Sequence, residues 1–344
     1  MTKEEKINAF DPNGVGLNES NIFGLPFSKE ESDIVLLPVP WEVTVSYSAG
    51  TADGPSAILA ASKQVDLYDE DAPEAWKSGV FMLNEDAEIR NLSNVTRQMA
   101  EQHINALSEN SSSTLNKDVN LACDKLKNWV EQETNNLLNE NKIVGLIGGD
   151  HSTPLGFLNA LAKKHQDFGI LQIDAHCDLR DAYEGFEYSH ASIMFNALKI
   201  PQISKIVQVG IRDYCEAEVN IIHNSAGRIQ TFFDNKLKEE QFEGVLWKTQ
   251  VNRIIEHLPS LVYISFDIDG LDPKLCPNTG TPVAGGLEYH QAVYLIKAIQ
   301  LSGRKIIGFD LNEVAPGETE WDANVAARLL YKMCVFTGIS NNLF

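Results

Sequence analysis

Six short apolar runs dominate the pattern of this chain: Ile34 to Pro38, Ile143 to Ile147, Gly169 to Ile173, Lys205 to Gly210, Leu261 to Phe266 and Lys305 to Phe309. Each is rich in Ile, Val or Leu, is bounded by turn residues and lacks strict polar alternation. That is the signature of strands buried on both faces of a mainly parallel sheet. Stretches of helical character lie between them, at Ser56 to Ser62, Pro154 to Lys164, Ala191 to Leu198, Tyr289 to Leu301 and Trp321 to Phe336. Strand and helix alternate, so the fold class is α/β.

A length of 344 residues allows one large α/β domain or two modest ones. The expected organisation is an N-terminal extension over 1–30 and a single domain over 31–344 with a polar, helical insertion at about 84–141. Within that insertion two helices are expected, joined by a mobile loop around Ser108 to Ser113. The second, from Leu121 to Leu138, carries Leu121, Leu126, Trp129, Val130 and Leu137 as its apolar face. The extension shows little periodicity and is expected to wrap the surface or contact another subunit.

Asp plus Glu number 48 against 28 Lys plus Arg, a net charge of -20, which repels a phosphate backbone and argues against nucleic acid as a partner. No run approaches the roughly 20 apolar residues needed to span a bilayer. Lys3, Glu4, Glu5 and Lys6 precede no apolar segment, so neither a secretory signal nor a transit peptide is read there and the cytoplasm is the expected location. Five cysteines without a C-x-x-C pair read as reduced thiols. The acidic excess leaves room for a cationic substrate, although general solubility accounts for it more simply.

Chemistry gathers where three of the apolar runs end. Gly148-Gly149-Asp150-His151-Ser152 follows the first, Asp174-Ala175-His176-Cys177-Asp178 the second, and Asp267-Ile268-Asp269-Gly270-Leu271-Asp272-Pro273 the third. In open parallel sheets ligands collect at the carboxyl ends of strands. Period-two alternation would put Asp174, His176 and Asp178 on one face, and Asp267 with Asp269 on another, with Cys177 turned away to pack. Crowded carboxylates are costly to bury, and a divalent cation is the ordinary remedy. Separately, each motif has a plain reading as a turn or helix cap; together, two His and four Asp at three strand ends do not. Six side chains are too many for one catalytic ion with an open position, but fit two ions that share bridging carboxylates. Oxygen-rich ligation with two imidazoles suits Mn²⁺ better than structural zinc, with Ni²⁺, Co²⁺ or Fe²⁺ left open.

The set Gly-Gly-Asp-His, Asp-x-His-x-Asp and Ser-Phe-Asp-x-Asp-Gly-x-Asp-Pro resembles the ureohydrolase family of arginases and agmatinases, over about residues 33 to 338. The resemblance implies a three-layer α-β-α sandwich with a central, mainly parallel sheet, and assembly into homotrimers or homohexamers. It implies that His151 and Asp178 bind one manganese, that His176 and Asp269 bind the other, and that Asp174 and Asp267 bridge them. By the same likeness Glu313 holds the substrate guanidinium and His190 is a proton shuttle. Without it they would rank as a loop carboxylate and a helix cap. The reaction implied is attack of an activated water on the guanidino carbon, with release of urea and protonation of the leaving amine through Asp269 or His190.

The stretch Leu179 to His190 departs from the arginase pattern and looks like agmatinases that read Asp-Leu-Arg-Asp-x-Tyr-x-Gly, so agmatine is the first expected substrate. Trp321 offers a second reading: as a cation–π lid over the guanidinium it would favour free guanidine and Ni²⁺, whereas packed beneath the last helix it would have no such role. Arginase and guanidinobutyrase activities are further alternatives. A metallophosphoesterase lacks its Gly-Asn-His-Asp/Glu element here. An inactive metal-binding scaffold would have lost a ligand, and all six are present.

Overall fold

The six apolar runs become strands of one parallel sheet, and two further strands extend its edges. The computed structural model describes residues 1–16, 20–45 and 47–344. Its strands are β1 (Ile34–Val39), β2 (Val80–Met82), β3 (Ile143–Gly148), β4 (Phe168–Ile173), β5 (Ile203–Ile211), β6 (Ile229–Phe233), β7 (Leu261–Asp267) and β8 (Lys305–Asn312). Its helices are α1 (Lys3–Ala9), α2 (Gly54–Ser62), α3 (Ala87–Ser108), α4 (Asn116–Asn139), α5 (Leu155–Lys164), α6 (Ile193–Ala197), α7 (Glu216–Asn224), α8 (Asp234–Phe242), α9 (Trp247–Glu256), α10 (Tyr289–Leu301) and α11 (Trp321–Ser340).

The strands lie in the order β2-β1-β3-β8-β7-β4-β5-β6, every neighbouring pair parallel. Helices cover both faces, which is why the strands lack polar alternation. Along β1, Val35 and Leu37 pack into one apolar cluster with Val130, Phe157 and Leu161 of α4 and α5. Ile34 and Leu36 enter the other cluster with Leu295, Leu329 and Phe336 of α10 and α11. The two unforeseen strands are the edges. β2 has only three residues, and β6 is interrupted by Gln230 and Thr231 with only its first residue buried, so neither carries a long apolar run.

The polar segment forms the helical pair α3–α4, one face of which closes the sheet. Val119, Cys123, Leu126 and Val130 of α4 join the cluster that contains Val35 and Leu37. Leu121, expected on that face, is 57% exposed, because the buried stripe runs through position 119 rather than 121. At the N-terminus, Ile7 and Phe10 pack on the core, the Phe10 ring lies 5.2 Å from that of Trp76, and Lys6 pairs with Glu31 at 2.7 Å. Among the described residues no helix is long and apolar enough to cross a membrane.

Register places the strand-end motifs. Ile147 of β3 pairs with Leu311 of β8, Leu311 with Phe266 of β7, and Phe266 with Ile173 of β4. One residue beyond that row stand Gly148, Asn312, Asp267 and Asp174. Strands β3 and β4 are consecutive in sequence but have β8 and β7 between them, so the chain reverses its direction of winding here and leaves a crevice at their carboxyl ends.

Candidate metal centre

The turn after β3 is built on close backbone approach. Gly149 N donates to Val39 O at 3.0 Å and Asp150 N to Trp41 O at 2.8 Å, and a Cβ on Gly149 would meet Trp41 O at 2.0 Å. Asp150 is buried and accepts from Val43 N at 3.0 Å and Ser152 N at 3.0 Å, so it locks the turn and leaves His151 to face the crevice.

The two acidic motifs converge for a different reason than strand alternation. β4 ends at Ile173 and β7 at Asp267, so Asp174 to Asp178 and Ile268 to Gly270 are loop and 3-10 turn. Side chains bind backbone instead. Asp174 Oδ1 accepts from His176 N at 2.6 Å, Asp267 Oδ1 from Asp269 N at 2.8 Å, and Asp269 Oδ1 from Ala175 N at 3.0 Å. Asp178 turns inward through a left-handed backbone, with φ 53°.

All six expected ligand residues meet. His151 Nδ1 lies 3.0 Å from Asp174 Oδ2, 3.0 Å from Asp178 Oδ2 and 3.3 Å from Asp267 Oδ2. His176 Nδ1 lies 3.0 Å from Asp269 Oδ2 and 3.6 Å from Asp174 Oδ1. Two groups able to hold a metal ion result, His151-Asp174-Asp267 and Asp174-His176-Asp269, joined by the two oxygens of Asp174. His151 Nδ1 and Asp269 Oδ2 are buried without a hydrogen-bond partner. Unpartnered buried atoms among such donors are what a cation site requires, so the residues fit divalent ions.

The electrostatics agree. Burial, then the charge of Asp174, pushes Asp178 up to about 7, and burial with Asp269 and Asp174 raises Asp267 well above the carboxylate range. Burial opposes ionisation of Asp174 too, but His151 and His176 hold it well below that range. Carboxylates this crowded cannot all ionise without added positive charge.

Behind the expected ligands stand residues that sequence reasoning missed. His151 Nε2 meets Ser265 Oγ at 2.9 Å, and Ser265 donates to Asp310 Oδ1 at 3.1 Å. Gln172 donates to Asp174 Oδ2 at 2.8 Å and accepts from Gln208 at 2.7 Å. The available signal was a polar residue inside an apolar run, two positions before a strand-end carboxylate or carboxamide. Cys177 is buried among apolar side chains, and burial pushes its thiol up.

Glu313 follows β8 directly with φ 63°. Its N–H donates to Gly149 O at 2.8 Å and its Oε1 accepts from His151 N at 2.9 Å. Burial, then the charge of Asp150, raises its pKa well above the usual range. His190 lines a neighbouring cavity of about 160 Å³ together with His176, Asp178, Arg180, Tyr183, Asp213, Tyr214, Glu218 and Thr281. The His190 Nδ1 lies 3.1 Å from Thr44 Oγ1, and burial with the charges of His176 and His151 pushes the ring down to about 4. Arg180 stacks 4.8 Å above the Tyr183 ring. Asp213 follows β5 as the acidic motifs follow their strands, a signal that was available in Gly210-Ile211-Arg212-Asp213.

Trp321 is not brought to this cluster. It is 47% exposed at the first turn of α11, its Nε1 donates to Lys274 O at 3.0 Å, and it does not line the cavity. The expected lid is therefore absent from this chain's cavity. Nor is the indole packed beneath the helix, because the start of α11 directs it outward to the 274 carbonyl.

Residues 32–335 match the family model described as Arginase family. The N(1)-aminopropylagmatine ureohydrolase of a Synechocystis species is 28% identical over 318 residues, covering 91% of this chain and 92% of that protein. The agmatinase of Sodalis glossinidius is 30% identical over 330 residues, covering 93% and 94%. In three dimensions the agmatine ureohydrolase of Thermoplasma volcanium superposes with a TM-score of 0.73, covering 98% of this chain and 99% of that one; at 22% identity this likeness shows the fold. The site and fold thus define a hydrolase of C–N bonds. The chain belongs to the arginase family and is a ureohydrolase, acting on guanidino compounds.

Proposed function

We propose that this protein hydrolyses agmatine to putrescine and urea at a centre of two divalent ions, Mn²⁺ before Ni²⁺. The observation that carries the two-ion reading is Asp174, whose Oδ2 serves the group around His151 while its Oδ1 serves the group around His176. His151 and Asp178 would hold one ion, His176 and Asp269 the other, with Asp174 and Asp267 between them. When bound, such ions would supply Lewis acidity, lowering the pKa of a water and stabilising the negative charge on its oxygen.

The chain's own residues then divide the work. Glu313 carries the guanidinium, because a buried carboxylate with raised pKa gains most from a cationic partner that donates paired N–H groups. With Nδ1 engaged by Thr44, His190 has Nε2 for moving a proton to the alkyl nitrogen as its bond to the guanidino carbon breaks. Asp269 Oδ2, unpartnered and buried, is the alternative carrier for that proton.

The tail is read by the cavity rim. Asp213 is exposed there and suits the distal ammonium of agmatine, and agmatinases stand among the relatives. A second reading rests on Arg180, whose guanidinium lines the same cavity and would favour a carboxylate tail, as in 4-guanidinobutyrate. The test is urea release from agmatine, aminopropylagmatine, 4-guanidinobutyrate, arginine and guanidine by protein loaded with Mn²⁺ or with Ni²⁺. Preference for agmatine is expected. Preference for 4-guanidinobutyrate selects the second reading, and no urea from any of them by metal-loaded protein overturns both.

A further inference from the structure

Between Asp178 and His190 the chain makes a loop that supplies Tyr183 to the cavity wall. Ala182, Glu184 and Gly185 within it are left-handed, with φ 57°, 54° and 83°. For Ala and Glu that conformation is unfavourable and persists only where surroundings impose it. The surroundings are α3 and α4, the polar segment for which the chemistry has so far found no use. Asn120 of α4 donates from Nδ2 to Gly185 O at 3.1 Å, and its Oδ1 accepts from Glu187 N at 2.9 Å. Asn116 reaches the same Gly185 carbonyl at 3.4 Å, and His103 of α3 meets Glu184 O at 3.0 Å. Phe186, between the two residues that Asn120 holds, is fully buried with its ring 5.3 Å from that of His103. In the same loop the Tyr183 ring lies 6.5 Å from that of His190.

We propose that Asn120 is a positioning residue: by bonding the loop backbone on both sides of Phe186, it sets where Tyr183 and His190 stand in the substrate cavity. The kinetic part of this inference rests on the guanidino-hydrolase reading above. A carboxamide is the required group, because one side chain must donate to a carbonyl and accept from an N–H at once; a carboxylate can only accept and an alkyl group does neither. The helical hairpin thereby acts on catalysis through the loop rather than by touching the substrate.

The experiment compares Asn120→Ala and Asn120→Asp with the parent chain and with Asn135→Ala, whose side chain donates to Glu131 O of its own helix. Hydrogen exchange at the Glu187 amide and KM and kcat for the preferred substrate are the readouts. In Asn120→Ala the Glu187 amide should exchange about tenfold faster and KM should rise by a similar factor, with a smaller change in kcat. Free guanidine, which has no tail to touch Tyr183, should be affected least. Asn120→Asp keeps the acceptor for Glu187 and should recover part of both, and it serves alone if the alanine variant does not fold. Asn135→Ala should alter neither. Unchanged exchange, or faster exchange with unchanged KM, overturns the inference. Absence of urea from every guanidino compound sinks the functional reading instead, and the exchange measurement still decides whether Asn120 holds the loop.

Discussion

His151 and Ser265 meet at 2.9 Å, Nε2 to Oγ, although the strands that carry them, β3 and β7, have β8 between them. The contact orients the ring so that Nδ1 faces Asp174, Asp178 and Asp267. Such outer partners tune a ligand's direction and basicity. Ser265→Ala should weaken metal binding by about 10- to 100-fold while leaving the fold intact. Calorimetric titration of the metal-free protein with Mn²⁺ measures this, and unaltered affinity would show that the hydroxyl does not orient the ligand.

Glu313→Gln tests the guanidinium seat proposed above. The carboxamide oxygen can still accept from His151 N–H, so metal content should be unchanged. The lost negative charge should lower kcat/KM by about 10- to 100-fold for every guanidino substrate. A variant of full activity would remove Glu313 from the site.

Gly149→Ala should destabilise the protein by about 3 kcal/mol. The new methyl would meet Trp41 O at 2.0 Å, and that carbonyl is held by Asp150 N, so neither partner can withdraw without breaking the turn that carries His151. Denaturant unfolding measures the loss, and a midpoint equal to that of the parent would contradict the backbone geometry.

Away from the site, His165 makes stability depend on pH. Burial, then the charges of Lys164 and Lys305, lowers its pKa below the ordinary 6.5. Between the folded value and 6.5 the unfolded chain binds more protons, so acid favours unfolding. The stability that the neutral ring contributes is complete above pH 6.5 and is lost as pH falls through the folded value. His165→Asn should flatten the pH dependence of the urea midpoint below about pH 6.5, and an unaltered slope would assign that dependence to other groups.

The legible part of the fold was its interior. Strands buried on both faces need uninterrupted apolar runs, and β1, β3, β4, β5, β7 and β8 show them. Edge strands β2 and β6 are partly exposed and carry no such demand. The same limit applies to helix faces: Leu121 matched the apolar period yet points outward, because the neighbouring helix and sheet, not the period, select which stripe is covered.

The candidate site was legible as a list and not as a geometry. His151, Asp174, His176, Asp178, Asp267, Asp269 and Glu313 stand at or just beyond strand ends in the sequence, and His190 opens the short turn His190–Ser192 between β4 and β5. Their convergence depends on the strand order β3-β8-β7-β4, on a left-handed Asp178 and on carboxylates that bind one another's backbone across loops. Trp321 shows the reverse case, a residue near Glu313 in sequence that the start of α11 turns away. By itself the sequence determined the fold class and the set of ligand-type residues, since both follow from local composition and from where apolar runs stop. Only the tertiary structure decided which oxygens of Asp174 face which imidazole, and that Asn120 grips the loop before His190. Contacts between residues distant in sequence are set by strand order and backbone turns, and no local pattern encodes them.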